Sequence, residues 1–313
     1  MTSSMGYPWN VEGITKQDVW GDKNEPKDLR RPLAIKVQSN VEIMYSMMSR
    51  RQKPFVPFTD NLKSEKMKKE KVFEKSRIFT YPPVEFLIIC KMMMDTFCVW
   101  CEDNRIINGL TIGINPYGED WNILGNTLRK MGETIIDGDF KGWDGSLIIT
   151  WFYLYFEMVK RFYRDVYNPS QMNVLDMICE VLVSSVHVYP DATKCIFYEW
   201  FGAMCSGVLC TGNGNSIINQ MVIRYGMIDI LLPGGAESYT YSTPFDFSEF
   251  EMNFELETNG DDNALALSTF YSKNIDQMSL AFSLGKIGMV YTDSQKTGEM
   301  IAHRTLEMIT FLK

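Results

Sequence analysis

Residues Thr258–Leu265 read TNGDDNAL. Two aspartates stand side by side behind a glycine, after the run MNFELE and just ahead of ALALS. Phe254, Leu256 and Thr258 alternate with Glu255, Glu257 and Asn259, the period-two spacing of a strand. Ala264 to Leu267 forms a second short apolar run. Asn, Gly and Asp tolerate positive φ and make hairpin turns. The plain reading is therefore a surface turn between two strands. The sharper reading is a divalent-metal site held at a hairpin tip, which needs a third carboxylate brought near from elsewhere in the chain.

The whole chain sets the bounds for that search. Its 313 residues suggest one large domain or two interleaved ones with a substantial core. A hydrophobic content of 45% is that of an ordinary globular protein, and 21 methionines give it adaptable packing. The opening MTSSMGYPWN lacks a basic-then-apolar signal, and the longest apolar run, Leu147 to Phe156, is too short to span a bilayer. The sequence thus gives no reason to expect secretion or a membrane span. Seven scattered cysteines include one close pair, Cys98 and Cys101; adding Cys205 and Cys210 gives the wrong spacing for a zinc ribbon, so reduced, mostly buried thiols are expected. With only His187 and His303, histidine-based metal or triad chemistry is disfavoured.

A net charge of −8 argues against a simple basic nucleic-acid binder. The average hides an asymmetry, because residues 63–77, KSEKMKKEKVFEKSR, hold seven basic and three acidic side chains, a net +4 that leaves −12 for the remainder. This run is either a solvated charged helix or a phosphate-binding strip. Around it, residues 1–60 read as irregular, 84–108 as helix, and Asp120 as the cap of a helix to about Lys130. Thr134–Phe140 reads as a strand, 145–164 and 170–186 as helices, His187–Phe197 as a hairpin, and Asn215–Leu231 as an apolar helix. A helix near 272–284, a strand KIGMVY and a possible strand MITFLK complete the pass. Strands and helices mix without βαβ regularity, which indicates α+β.

Two further stretches carry chemistry. In DGDFKGWDG, residues 137–145, Asp137, Asp139 and Gly142 fit positions one, three and six of a calcium loop, but Lys141 and Ile148 fall at positions five and twelve, so that loop is rejected. The alternative is a strand that delivers Asp139 at its end and Asp144 five residues later. Asp139 with Asp261 and Asp262 would supply the oxygen ligands that magnesium takes. In SGVLCTGNGNSIIN, residues 206–219, a phosphate-binding Walker loop lacks its lysine and a dinucleotide fingerprint lacks its third glycine. What remains is a Ser-Gly loop leading into a helix that bears Thr211, Asn215 and Ser216.

In this order, D-x4-D, S-G-x3-T-x3-N and G-D-D resemble motifs A, B and C of viral RNA-dependent RNA polymerases. TSSMGYPW (residues 2–9) is similar to a fingers segment of picorna-like members. Residues 61–79 look like motif F, and residues 104–121, NRIINGLTIGINPYGEDW, resemble the segment before motif A in dicistrovirus-like and marnavirus-like members. YTDSQK is similar to motif D and the terminal FLK to the start of motif E. The resemblance implies a right-hand α+β fold with an antiparallel palm sheet, helices and fingers, divided as fingers 1–95, palm 96–150, a fingers insertion 151–200 and palm 201–313. The thumb that follows motif E in the family is absent from the sequence, which the resemblance reads as a core cut from a longer polyprotein.

The resemblance also assigns roles. Asp139, Asp261 and Asp262 would bind magnesium, for which manganese can substitute. Asp144, Ser206, Thr211 and Asn215 would recognise ribose hydroxyls. Lys63, Lys71 and Arg77 would line the triphosphate channel, and Lys296 would act as general acid toward pyrophosphate. The implied partners are an RNA template and primer, nucleoside triphosphates and other viral replication proteins, at membrane-associated complexes in the host cytoplasm. Asn259, Glu74 and Gly145 depart from the usual residues of their motifs but remove no ligand. The competing reading is a non-catalytic RNA-binding or interaction module of the same fold. A reverse transcriptase is disfavoured by the pairing of Asp144 with Asn215.

Overall fold

The structure is a computed structural model, and it describes residues 4–63, 78–190, 194–240, 242–295 and 298–312. Lys71, Arg77 and Lys296 lie outside the described residues. The chain divides into two compact units, residues 1–97 with 148–211, and residues 98–147 with 212–313.

In chain order the first unit holds α1 (Lys16–Trp20), α2 (Pro32–Ser49), β1 (Pro57–Leu62), β2 (Ile78–Tyr81) and most of α3 (Val84–Asp103). The second takes over with α4 (Glu119–Arg129), β3 (Thr134–Phe140) and α5 (Trp143–Ser146). The first resumes with α6 (Ile149–Tyr163), α7 (Pro169–Val183), β4 (Ser184–Pro190) and β5 (Cys195–Phe201). Helix α8 (Thr211–Leu231) leads into the second, which ends with α9 (Phe247–Glu251), β6 (Phe254–Asn259), β7 (Asp262–Leu267), α10 (Gln277–Lys286) and β8 (Tyr291–Asp293).

The first unit corrects the reading of residues 1–60 as irregular, because α2 is an 18-residue helix with Pro32 in its first turn, where a missing N–H costs nothing. Its apolar positions 33, 37, 41, 44 and 48 follow helical spacing, a signal masked by the flanking Pro and Gly residues. Leu33, Val37 and Val41 pack on a cluster with Met5, Trp9 and Val84. Trp9 Nε1 donates to Glu85 Oε1 at 2.8 Å and fastens the N-terminal segment to α3. The sheet runs β2-β1-β4-β5, with β1 and β4 parallel and the other pairs antiparallel.

The second unit is built on a fully antiparallel sheet, β6-β7-β3-β8. One face places Ile135, Ala264 and Ala266 against Leu124, Leu128 and Phe311. Behind β6, the segment Gly109–Thr111 pairs with the strand edge, Thr111 N donating to Thr258 O at 2.9 Å. Two expectations are corrected. KIGMVY is a strand only from Tyr291, because Met289 N bonds back to Leu284 O and Gly288 takes φ +80° to close α10. MITFLK forms no strand over its described residues 308–312: Thr310 N donates to the Asp137 carboxylate at 2.7 Å, while Ile309 and Phe311 sink into the apolar cluster. Helix α4 is also capped by Gly118 and not Asp120, which accepts instead from Asn115 N and Arg105.

Candidate active site

Strand β3 is buried nearly throughout, and alternation puts Asp137 and Asp139 on the same face. The two aspartates do different work. Asp137, fully buried, pairs with Arg304 Nε at 2.8 Å and accepts from Ser294 Oγ and Thr310 N. Arg304 also holds Asp293, so Asp137 ties β8 and the C-terminal segment to β3. Asp139 lies two residues on, at the end of the strand and 7% exposed. Thr292 Oγ1 donates to its carbonyl at 3.0 Å and fixes its backbone.

The β3–β7 register runs from Thr134↔Leu267 to Gly138↔Asn263. Asp139 is the next residue along β3, and Asp262 is the neighbour of Asn263 at the start of β7. Asn259↔Asp262 closes the β6–β7 hairpin, so Gly260 and Asp261 are its two central residues. Of that pair only Gly260 has positive φ, +63°, as a II′ turn requires. The turn reading of the opening stretch is met: Asp261 lies in the turn and Asp262 opens β7.

Helix α8 holds this turn in place. Ser216 Oγ accepts from Gly260 N at 2.7 Å and donates to Gly212 O at 2.9 Å. Asn219 Nδ2 donates to Gly260 O at 3.1 Å and to Asp262 O at 3.2 Å. On the other side, Tyr291 OH donates to Asn263 Oδ1 at 2.6 Å, and burial drives the phenol pKa far up, so it stays a donor. Gly138 makes room for that ring, because any Cβ there would overlap it. Sequence reasoning marked Ser216 only as a polar residue of the helix's first turns and did not pick out Asn219, Asn263 or Tyr291. The available signal was Ser216 and Asn219 three residues apart, and so on one face of the helix, flanking the apolar pair Ile217 and Ile218.

The remaining predicted residues divide between the units. In the second, Asp144 sits in α5 just after Gly142, whose φ is +69°. Asn215 is 8% exposed, and its Oδ1 has no partner among the described residues. In the first unit, Lys63 follows the end of β1. Ser206 Oγ accepts from Thr80 N at 3.0 Å. Thr211 Oγ1 is spent on capping, 2.8 Å from both Cys205 O and Val208 O, and this differs from a free ribose contact. Strand β6 adds a group that the sequence left unassigned: Glu257 is fully buried, neither carboxyl oxygen has a partner among the described residues, and burial pushes its pKa up to about 9. All seven cysteines are among the described residues, none forms a disulfide and six are buried; burial raises the Cys101 and Cys179 thiols to about 12.

The donor set of Asp139, Asp261 and Asp262, all carboxylate oxygen, fits a hard divalent cation. As they stand, no three His, Cys, Asp or Glu side chains among the described residues lie close enough to share one ion. Mutual repulsion of like charges opposes closer approach until a cation enters.

Sheet, turn and supporting helix have the architecture of a polymerase palm, and the match to the family of viral RNA-dependent RNA polymerases runs over residues 1–313, so the chain belongs to that family. It is 29% identical over its full length to the replicase polyprotein of Drosophila C virus, and 31% identical over 95% of its length to that of cricket paralysis virus. It spans 18% and 17% of those two polyproteins. A Sicinivirus 3Dpol RNA-dependent RNA polymerase shares the fold, with a TM-score of 0.74 and 19% identity over all of this chain and 59% of that one.

Proposed function

We propose that the chain is the catalytic core of an RNA-directed RNA polymerase that transfers nucleotides to a primer 3′-hydroxyl. The observation that supports this reading is the β3–β7 pairing, which runs up to Gly138↔Asn263, the residues next to Asp139 and Asp262, with Asp261 in a turn held by Ser216 and Asn219. Asp139, Asp261 and Asp262 are the residues that would hold divalent cations, magnesium or manganese. Such ions, when bound, supply a lowered pKa at the attacking hydroxyl and charge neutralisation on the departing pyrophosphate.

The chain's own residues do the selecting and positioning. Asp144 and Asn215 receive the ribose hydroxyls, a role the resemblance gives also to Ser206 and Thr211, and Asn215 Oδ1 has no partner among the described residues. Thr211 brings only lone pairs, since its proton is engaged. Lys63, Lys71 and Arg77 neutralise the triphosphate, and Lys296 donates a proton to the leaving pyrophosphate. The partners in this reading are an RNA template and primer, nucleoside triphosphates and other viral replication proteins. The place of action is the host cytoplasm at membrane-associated complexes, although no helix among the described residues is long and apolar enough to cross a membrane.

The test is extension of a self-priming RNA hairpin, by the chain alone and by the chain continued along its reading frame. Ribonucleotides and deoxyribonucleotides are compared in magnesium and in manganese. Metal-dependent addition that prefers ribonucleotides is expected. Equal use of both sugars would break the assignment of Asp144 and Asn215. A folded, RNA-binding protein that adds nothing in either form would be a non-catalytic module.

A further inference from the structure

In the first unit, several polar groups gather on one buried carboxylate. Asp60, in the middle of β1, is 2% exposed. It accepts from Thr80 Oγ1 of β2 at 2.6 Å and from the Tyr198 hydroxyl of β5, and His187 Nδ1 of β4 lies 3.1 Å away. One carboxylate thus bonds to a side chain from each of the other three strands of the sheet. Burial pushes its pKa up, but the hydrogen bonds from His187, Thr80 and Tyr198 together outweigh burial and hold the group below the usual carboxylate range.

Beyond the imidazole, His187 Nε2 lies 2.8 Å from Ser185 Oγ. Ser185, His187 and Asp60 therefore have the spacing of a hydrolytic triad. Ser185 is fully buried, however, and the ring is stacked between Phe58 and Tyr198, so no substrate reaches the hydroxyl. The cluster acts as a brace.

Thr80 is where the brace reaches the candidate nucleotide site. It faces Asp60 across the β1–β2 pair, gives its hydroxyl proton to that carboxylate, and gives its backbone N–H to Ser206 Oγ. Beside it, Gly207 lies so close to β2 that a Cβ would come within 2.5 Å of Thr80 O and 2.9 Å of Tyr81 Cα. The Ser206–Gly207 loop therefore rests on the backbone of β2, and β2 is registered by Asp60. We propose that Asp60, acting through Thr80, is a positioning residue that sets the Ser206 loop and so governs discrimination between ribonucleotides and deoxyribonucleotides. This rests on the polymerase reading above.

Thr80→Val keeps the β-branched shape and removes only the hydroxyl link. Tyr198→Phe removes another hydrogen bond to the same carboxylate from a strand that does not hold the loop. Amide exchange across residues 205–211 is measured first, because it needs no catalysis. Thr80→Val is expected to speed that exchange about tenfold, the equivalent of one hydrogen bond to a charged group, with Tyr198→Phe within about twofold of wild type and Thr80→Ser restoring protection. In primer extension, Thr80→Val is expected to raise the ribonucleotide KM and lower the ribo-to-deoxyribonucleotide preference about tenfold, with kcat little changed. Unaltered exchange in Thr80→Val, or equal effects of both variants, would overturn the proposal. Loss of all nucleotide addition by the wild type would sink the polymerase reading, while the exchange result would still decide the brace.

Discussion

Each unit buries an aspartate inside its four-stranded sheet, but the two are satisfied differently. Asp60 in the first unit is held by a threonine, a tyrosine and an imidazole from its own neighbouring strands. Asp137 in the second is held by a guanidinium, a serine and a backbone N–H from the segments that follow β8. The first arrangement registers strands against one another. The second pins the C-terminal segment to β3 at Asp137. A third buried carboxyl, Glu257, has neither kind of partner among the described residues and is held neutral. Burial alone therefore does not decide what a carboxyl does; its donors do.

The contrast can be broken most forcefully at Arg304. Arg304→Met leaves Asp137 and Asp293 as buried charges without their cation, and a loss of about 3–5 kcal/mol is expected in denaturant unfolding. Tyr198→Phe in the other sheet should cost only about 1–2 kcal/mol, since a neutral donor is lost. Equal losses would remove the distinction between the two sheets.

Glu257 sharpens it through pH. Its folded pKa of about 9 lies above the unfolded value of 4.5, so between those values the folded state carries a proton that the unfolded state has released. Stability is therefore fully present below pH 4.5 and is lost as pH rises toward 9, at up to about 1.4 kcal/mol per unit. Glu257→Gln should flatten that slope and stabilise the chain by about 3 kcal/mol at pH 7. An unchanged slope in thermal unfolding between pH 6 and 9 would mean that the group is ionised and paired.

A stability effect as small as that of Tyr198→Phe is expected at the Gly260–Asp261 turn. Ser216→Ala leaves Gly260 N without its acceptor and should cost about 1–2 kcal/mol, with nucleotide addition down about tenfold as the turn loosens. Wild-type activity with that loss of stability would show that the turn holds its shape without α8.

What the sequence disclosed follows from where partners lie along the chain. TNGDDNAL carries strand, turn and carboxylates within eight residues, and TIIDGDF carries Asp139 on a strand of matching bounds, so both were legible. The Asp60 brace joins residues 60, 80, 187 and 198, and the Arg304 clamp joins 137, 293 and 304. No local period marks either network, because each partner is an ordinary polar residue until the sheet is assembled. MITFLK had a strand's pattern, but its amide found a carboxylate instead. The hairpin turn was foreseen from its Asn, Gly and Asp residues, whereas its type and its support by Ser216 and Asn219 waited on the approach of α8.

The most direct measurement is single-nucleotide addition to a self-priming RNA hairpin in magnesium, comparing the wild type with Asp261→Ala. Both proteins are first matched for thermal unfolding and RNA affinity. The account predicts ribonucleotide addition by the wild type and a loss of about a thousandfold or more in the variant, the scale expected when a metal ligand is removed. Addition by Asp261→Ala at the wild-type rate, with fold and RNA binding intact, would contradict it.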